Sequence, residues 1–170
     1  MKNLNFYINE LSSNITTFEG LLTTVSPEQI QWKQDVSKWS LLEVVCHLYD
    51  EEREDFRTRL QLVLESPEEP FPSINPVGWV IERNYAKQDL TKMVQLFIQE
   101  RKNSIAWLKS LKSAQWDNAY LHPKLGPMSA KFIIANWLAH DYLHIRQVMK
   151  LKYDYLKQLS NESLSYAGDW

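Results

Sequence analysis

The chain has 170 residues, 44% hydrophobic and 24% charged, with a formal net charge of −2; that is enough to bury one sizeable core, and residues 1–170 read as a single globular domain. Acidic and basic residues interleave without a Lys/Arg block, which argues against nucleic acid as the main partner, because phosphate neutralisation needs a concentrated basic surface. The single cysteine, Cys46, excludes an internal disulfide, and no apolar run nears the ~18 residues a membrane span needs, so no membrane partner is expected.

The opening MKNLNFYINELSSN is too polar for the apolar core of a signal peptide, which makes the cytoplasm the expected compartment. The first helix is expected from about Leu4 to Thr24, with Phe6, Ile8, Leu11, Ile15, Phe18 and Leu22 near helical spacing. A short helix should follow at SPEQI, capped by Ser26, with Pro27 at its first position and Gln29 completing a capping box. The second long helix has the clearest start. In KWSLLEV, Ser40 is the N-cap, Glu43 closes a capping box, and Trp39 and Val44 are placed for a hydrophobic staple.

That helix should run to about Glu65 and give way to a loop at SPEEPFPSINPVG, where four prolines remove backbone donors. The third long helix is expected from about Asp89 to Leu111. WDNAYLHPKLGPMSA reads as a loop with room for a short strand pair, and Ser129 caps the fourth long helix. From Tyr153 onward the tail looks less regular, with a further turn or two near Tyr155 to Leu159. Four long helices joined by long connections predict an all-α four-helix bundle with long crossover loops, and such loops often cover a site.

Only four histidines occur, and two of them, His140 and His144, stand four apart in NWLAHDYLHIRQV. At ~100° per residue they share one face of the fourth helix with Asn136, Gln147, Ile133, Leu143, Trp137, Val148 and Leu151. Lys131, Asp141, Arg146, Lys150 and Lys152 fall outside that arc, so this face is read as the inward one. Imidazoles at this spacing can converge on one ion, although such pairs also occur as satisfied core or surface histidines. His47, on the second long helix, is a candidate third ligand; alone, it reads more simply as a boundary histidine paired with Glu51. Glu51 would then orient the His47 ring or act as a fourth ligand. Three neutral imidazoles leave a divalent ion its charge and its open positions, as reactive sites require.

KWSLLEVVCHLYDEE followed by HPKLGPMSAKFIIANWLAHDYLHIRQV resembles the DinB-like family of damage-inducible four-helix metalloproteins. The resemblance spans nearly the whole chain, and the pairing of W-S-x-x-E-x-x-x-H with H-x-x-x-H-x-x-Q carries it. It implies a metal triad at His47, His140 and His144, with zinc, nickel or iron bound. It also implies frequent homodimers, and some relatives depend on a low-molecular-weight thiol.

Of the remaining candidates, His122 is placed either to reach the site as a fourth histidine or, more simply, as a loop residue held by Pro123. Cys46 reads as a buried structural thiol, since neighbours on a helix point ~100° apart. Asn136 and Gln147 are placed either to bond a bound water or substrate or to pair with other helices. Arg101 falls on the inner side of the third helix, placed for a substrate carboxylate or, more simply, for a buried acid such as Glu51 or Glu54. Two functions are compatible with these readings. One is a metal-dependent enzyme, a thiol transferase or hydrolase acting on a small molecule. The other is a non-catalytic, metal-binding homodimer of stress response. A deep, polar-lined pocket beside the triad favours the first.

Overall fold

In the computed structural model, which describes residues 1–168, the helices are α1 (Leu4–Leu22), α2 (Pro27–Gln31), α3 (Leu41–Glu51), α4 (Thr58–Glu65), α5 (Pro76–Glu82), α6 (Leu90–Ser110) and α7 (Ala130–Ser160). A π-helical segment, Glu52–Arg57, joins α3 to α4 as one rod. Strands β1 (Ala119–His122) and β2 (Gly126–Ser129) form an antiparallel hairpin, with Ala119 opposite Ser129 and His122 opposite Gly126. Gly126 turns the hairpin at φ +75°, a backbone conformation that costs glycine little.

Four rods make the bundle: α1, α3–α4, α6 and α7. α6 packs on α1 and α3, and α7 packs on α1 and α4. Sequence caps set where they begin. Ser40 Oγ accepts from the Glu43 backbone at 3.3 Å while Glu43 Oε2 accepts from the Ser40 backbone at 2.8 Å, the full expected box. Asp89 accepts from the Lys92 amide at 2.7 Å, and Ser129 from the Phe132 amide at 3.1 Å. At α2, Ser26 accepts from the Gln29 amide at 3.3 Å, the Ser26 half of the expected box.

Two features correct the sequence reading. The proline-rich stretch ends in a helix: Asn75 caps α5 by accepting from the Gly78 amide at 3.1 Å, and Pro76 takes the first turn, where no amide is needed. The turns expected near Tyr155 to Leu159 are present, but they are a direct continuation of the fourth long helix, which stays regular through Tyr153. α7 continues to Ser160 and stops at Asn161, whose φ of 53° is left-handed. Lys150 pairs with Asp154 one turn on, Trp32 donates to Gln158 at 2.9 Å, and the Trp32 ring meets Tyr155 edge-on, so packing holds the last turns.

The apolar core divides in two. One part gathers Phe18, Leu42, Val45, Leu48, Phe97 and Val148. The other gathers Ile8, Leu11, Leu60, Ile105, Ile134 and Leu138. Along each rod the residues between the two parts are polar: Asn14, Glu52, Arg101 and Asp141, all buried. The arginine donates through Nε to Glu52 at 3.0 Å and through Nη1 and Nη2 to Asp141 at 2.5 and 2.7 Å. Asn14 donates to Asp141 and the Trp137 indole to Glu52, each at 2.9 Å. Arg101 therefore meets buried acids, as its inner position suggested, but they are Glu52 and Asp141 rather than Glu51 or Glu54.

Candidate metal centre

The histidines lie at the height of this polar layer. α3 carries His47 two turns beyond the Ser40 cap, and α7 brings His140 and His144 from the opposite side. His47 is buried, and His140 and His144 are partly buried. Their ligand atoms all lie within 4.8 Å of one another. His140 Nε2 stands 3.2 Å from His47 Nε2 and 3.0 Å from His144 Nε2.

Those separations can be compared with what a metal demands. Nitrogens that each sit ~2.0–2.1 Å from one ion lie ~2.9–3.4 Å apart, from octahedral to tetrahedral geometry. The distances from His140 to both partners fall in that range. Without an ion, His140 Nε2 faces two like nitrogens and satisfies at most one at a time through its own proton.

The proton on His144 is placed by Gln147. The amide Oε1 lies 2.7 Å from His144 Nδ1. An amide oxygen only accepts, so Nδ1 carries the hydrogen and the Nε2 lone pair faces the cluster. Gln147 is thus a partner of a candidate ligand within its own helix. Asn136, by contrast, donates to its own helix at Phe132 O, 2.9 Å away, and is exposed.

All three rings have lowered pKa values, with burial the largest cause. His47 falls to about 3 through burial and then through His144. His140 falls well below its ordinary value through burial, then His144 and His47. For His144, burial outweighs the opposing influences of Gln147 and Asp141. Neutral imidazoles are the form that binds a metal.

Aromatic rings enclose the cluster: Trp39 lies 4.8 Å from the His47 ring and Phe56 lies 4.9 Å from the His140 ring, between centroids. Neither role was legible from spacing, which gave Trp39 only as a helix staple. Beside His144 opens a cavity of about 690 Å³ whose lining includes Trp39, His144 and Gln147.

Several readings change. Asp141, placed outside the inward face, is fully buried on Arg101, whereas Leu143, placed inside it, is 53% exposed. The buried face is turned toward Asp141 because Arg101 across the core neutralises a charge that no apolar neighbour could accept. Glu51 does not join the three ligand atoms, and His47 Nδ1 has no hydrogen-bond partner among the described residues, so Glu51 does not orient that ring. Instead, burial and then Asp55, one turn on, raise the Glu51 pKa to about 8. His122 ends β1, and its Nδ1 accepts from the Lys124 and Leu125 amides at 3.1 and 3.2 Å, a loop role as read. Cys46 is buried, and burial, then Asp50 and Glu43, push its thiol up to about 12, which suits an inert structural thiol.

Residues 10–148 match the model of the DinB superfamily. Among solved structures, the chain is similar to YfiT from Bacillus subtilis, described as a probable metal-dependent hydrolase with an unusual four-helix bundle topology. The TM-score is 0.80 at 16% identity, over 96% of this chain and 90% of that one, a likeness of fold. No curated protein sequence matches. Among the described residues, no helix is long and apolar enough to cross a membrane.

Proposed function

The chain belongs to the DinB superfamily, and on that premise we propose that it is a metal-dependent enzyme in which His47, His140 and His144 hold a divalent ion and a small molecule is the substrate. Hydrolysis or thiol transfer is the reaction class. The observation that carries the catalytic reading is the cavity of about 690 Å³ that reaches His144, since an ion kept only for structure has no use for substrate-sized space beside a ligand. A bound divalent ion supplies Lewis acidity, which brings the pKa of water or a thiol down toward neutrality.

The protein's own groups prepare that chemistry. Burial keeps the three rings neutral and ready to donate lone pairs. Gln147 holds the His144 proton on Nδ1, away from the cluster. Trp39 and Phe56 exclude water from two sides, which strengthens every charge interaction inside. Three histidine nitrogens leave at least one coordination position for substrate or nucleophile.

The test begins with metal analysis of the purified protein, zinc, nickel and iron being measured together. One equivalent is expected in the native protein and a small fraction of it in each of His47→Ala, His140→Ala and His144→Ala. Ester and thiol-acceptor substrates are then screened against the native and His140→Ala proteins. Metal stoichiometry unchanged in all three variants refutes the site; metal lost from His140→Ala with turnover retained refutes its catalytic role.

A further inference from the structure

The cavity beside His144 has an uneven charge. Its lining includes three cations, Lys38, Arg146 and Lys150, against one acid, Asp154. The acid is already used: Lys150 Nζ lies 2.5 Å from Asp154 Oδ1. Lys38 and Arg146 make no side-chain hydrogen bond or ion pair among the described residues. Asp35, the acid nearest Lys38 in sequence, feels the Lys38 charge but takes its hydrogen bonds from the Ser37 amide and hydroxyl, at 2.8 and 2.6 Å. Two positive charges with no hydrogen-bonded or ion-paired acid therefore face one cavity in a chain whose net charge is −2.

Their origin matters as much as their number. Arg146 stands two residues beyond His144 on α7, whereas Lys38 comes from the loop before α3, next to the Trp39 that packs on His47. One cation is thus tied to each side of the triad. Arg146 presents a planar fork suited to an oxyanion, and Lys38 a point charge. The apolar part of the wall, from Trp39, Leu143 and Leu151, suits a short carbon skeleton.

We propose that the substrate of this site carries an oxyanion, a carboxylate or a phosphate, which Lys38 and Arg146 bind while the reacting end lies toward His144. This rests on the catalytic reading above for the word substrate, but the binding of an oxyanion in the cavity does not need a metal.

The test is a titration followed by NMR, reading the Trp39 indole and Gln147 side-chain amide signals. Propionate, methylphosphonate and the neutral analogue propanol are added to metal-free and to zinc-loaded protein. Saturable shifts are expected with either anion and not with propanol, and the tighter anion identifies the group. Lys38→Gln/Arg146→Gln should weaken anion binding by roughly threefold to tenfold, as two solvent-facing ion pairs allow. Lys124→Gln/Lys131→Gln, two cations remote from the cavity lining, should leave it unchanged. Equal shifts with propanol, or an unchanged affinity in the cavity double variant, overturn the inference. Anion binding without uptake of zinc, nickel or iron refutes the metal centre and leaves the oxyanion site standing; metal uptake without anion binding does the reverse.

Discussion

Gln147 Oε1 is the acceptor that decides which nitrogen of His144 is free. Its removal leaves the ring able to rotate and to move its proton onto Nε2. Gln147→Leu is therefore expected to weaken metal binding by about 10- to 100-fold, the range found when such outer partners are lost, while Gln147→Glu retains an acceptor and most of the affinity; competition with a chromophoric chelator measures both. Glu51 makes a separate prediction. Its pKa rises from 4.5 to about 8, first through burial and then through Asp55. The folded chain thus holds a proton that the unfolded chain has released, and this part of the stability is present below pH 4.5 and is lost as the pH climbs through 8. Glu51→Gln keeps a donor toward Asp55 without the titration. Its urea midpoint should rise relative to the native protein between pH 5 and pH 8.5; a parallel pH dependence in the two proteins counts against a protonated Glu51.

Helix ends were read from the chain wherever a cap stood beside its helix. Ser40, Ser129 and Asp89 all act within three residues of the amides they bond. Ser40→Ala should cost about 1 kcal/mol of stability, as lost N-caps do, measured as a lower urea midpoint with an unchanged slope. The Asn75–Pro76 pair was also a cap signal, but the surrounding prolines hid it in a stretch read as loop. The π-helical segment had no comparable signature. It inserts an extra residue per turn between α3 and α4, and the Thr58 hydroxyl donates to Arg53 O at 2.6 Å across it. Sequence periodicity assumes one angle per residue, so such a bulge appears as noise.

Across the whole bundle, the polar layer joins α1, α6, α7 and the π segment through one arginine that is 1% exposed. Burial works against its charge, and the Glu52 and Asp141 carboxylates outweigh that cost, so its pKa is raised. Arg101→Met leaves two buried acids unpaired and should cost about 3–5 kcal/mol. The combination Glu52→Gln/Arg101→Met/Asp141→Asn should recover much of that loss, because no lone charge remains. A triple variant less stable than Arg101→Met in chemical denaturation would show that the ion network itself supplies net stability. By linking both halves of the core the layer also predicts one cooperative unfolding transition, which coincident fluorescence and circular dichroism curves would test.

The sequence by itself determined the four rods, most of their caps, and the identity of the three converging histidines, because those signals are local spacings and a recognisable pair of motifs. Tertiary structure alone decided which face of α7 turns inward, what surrounds the triad, and where the cavity's cations gather. Those depend on partners 40 to 127 residues away, such as Arg101 and Asn14 for Asp141. A charge reads as solvent-facing until the opposite charge that buries it is brought across the core.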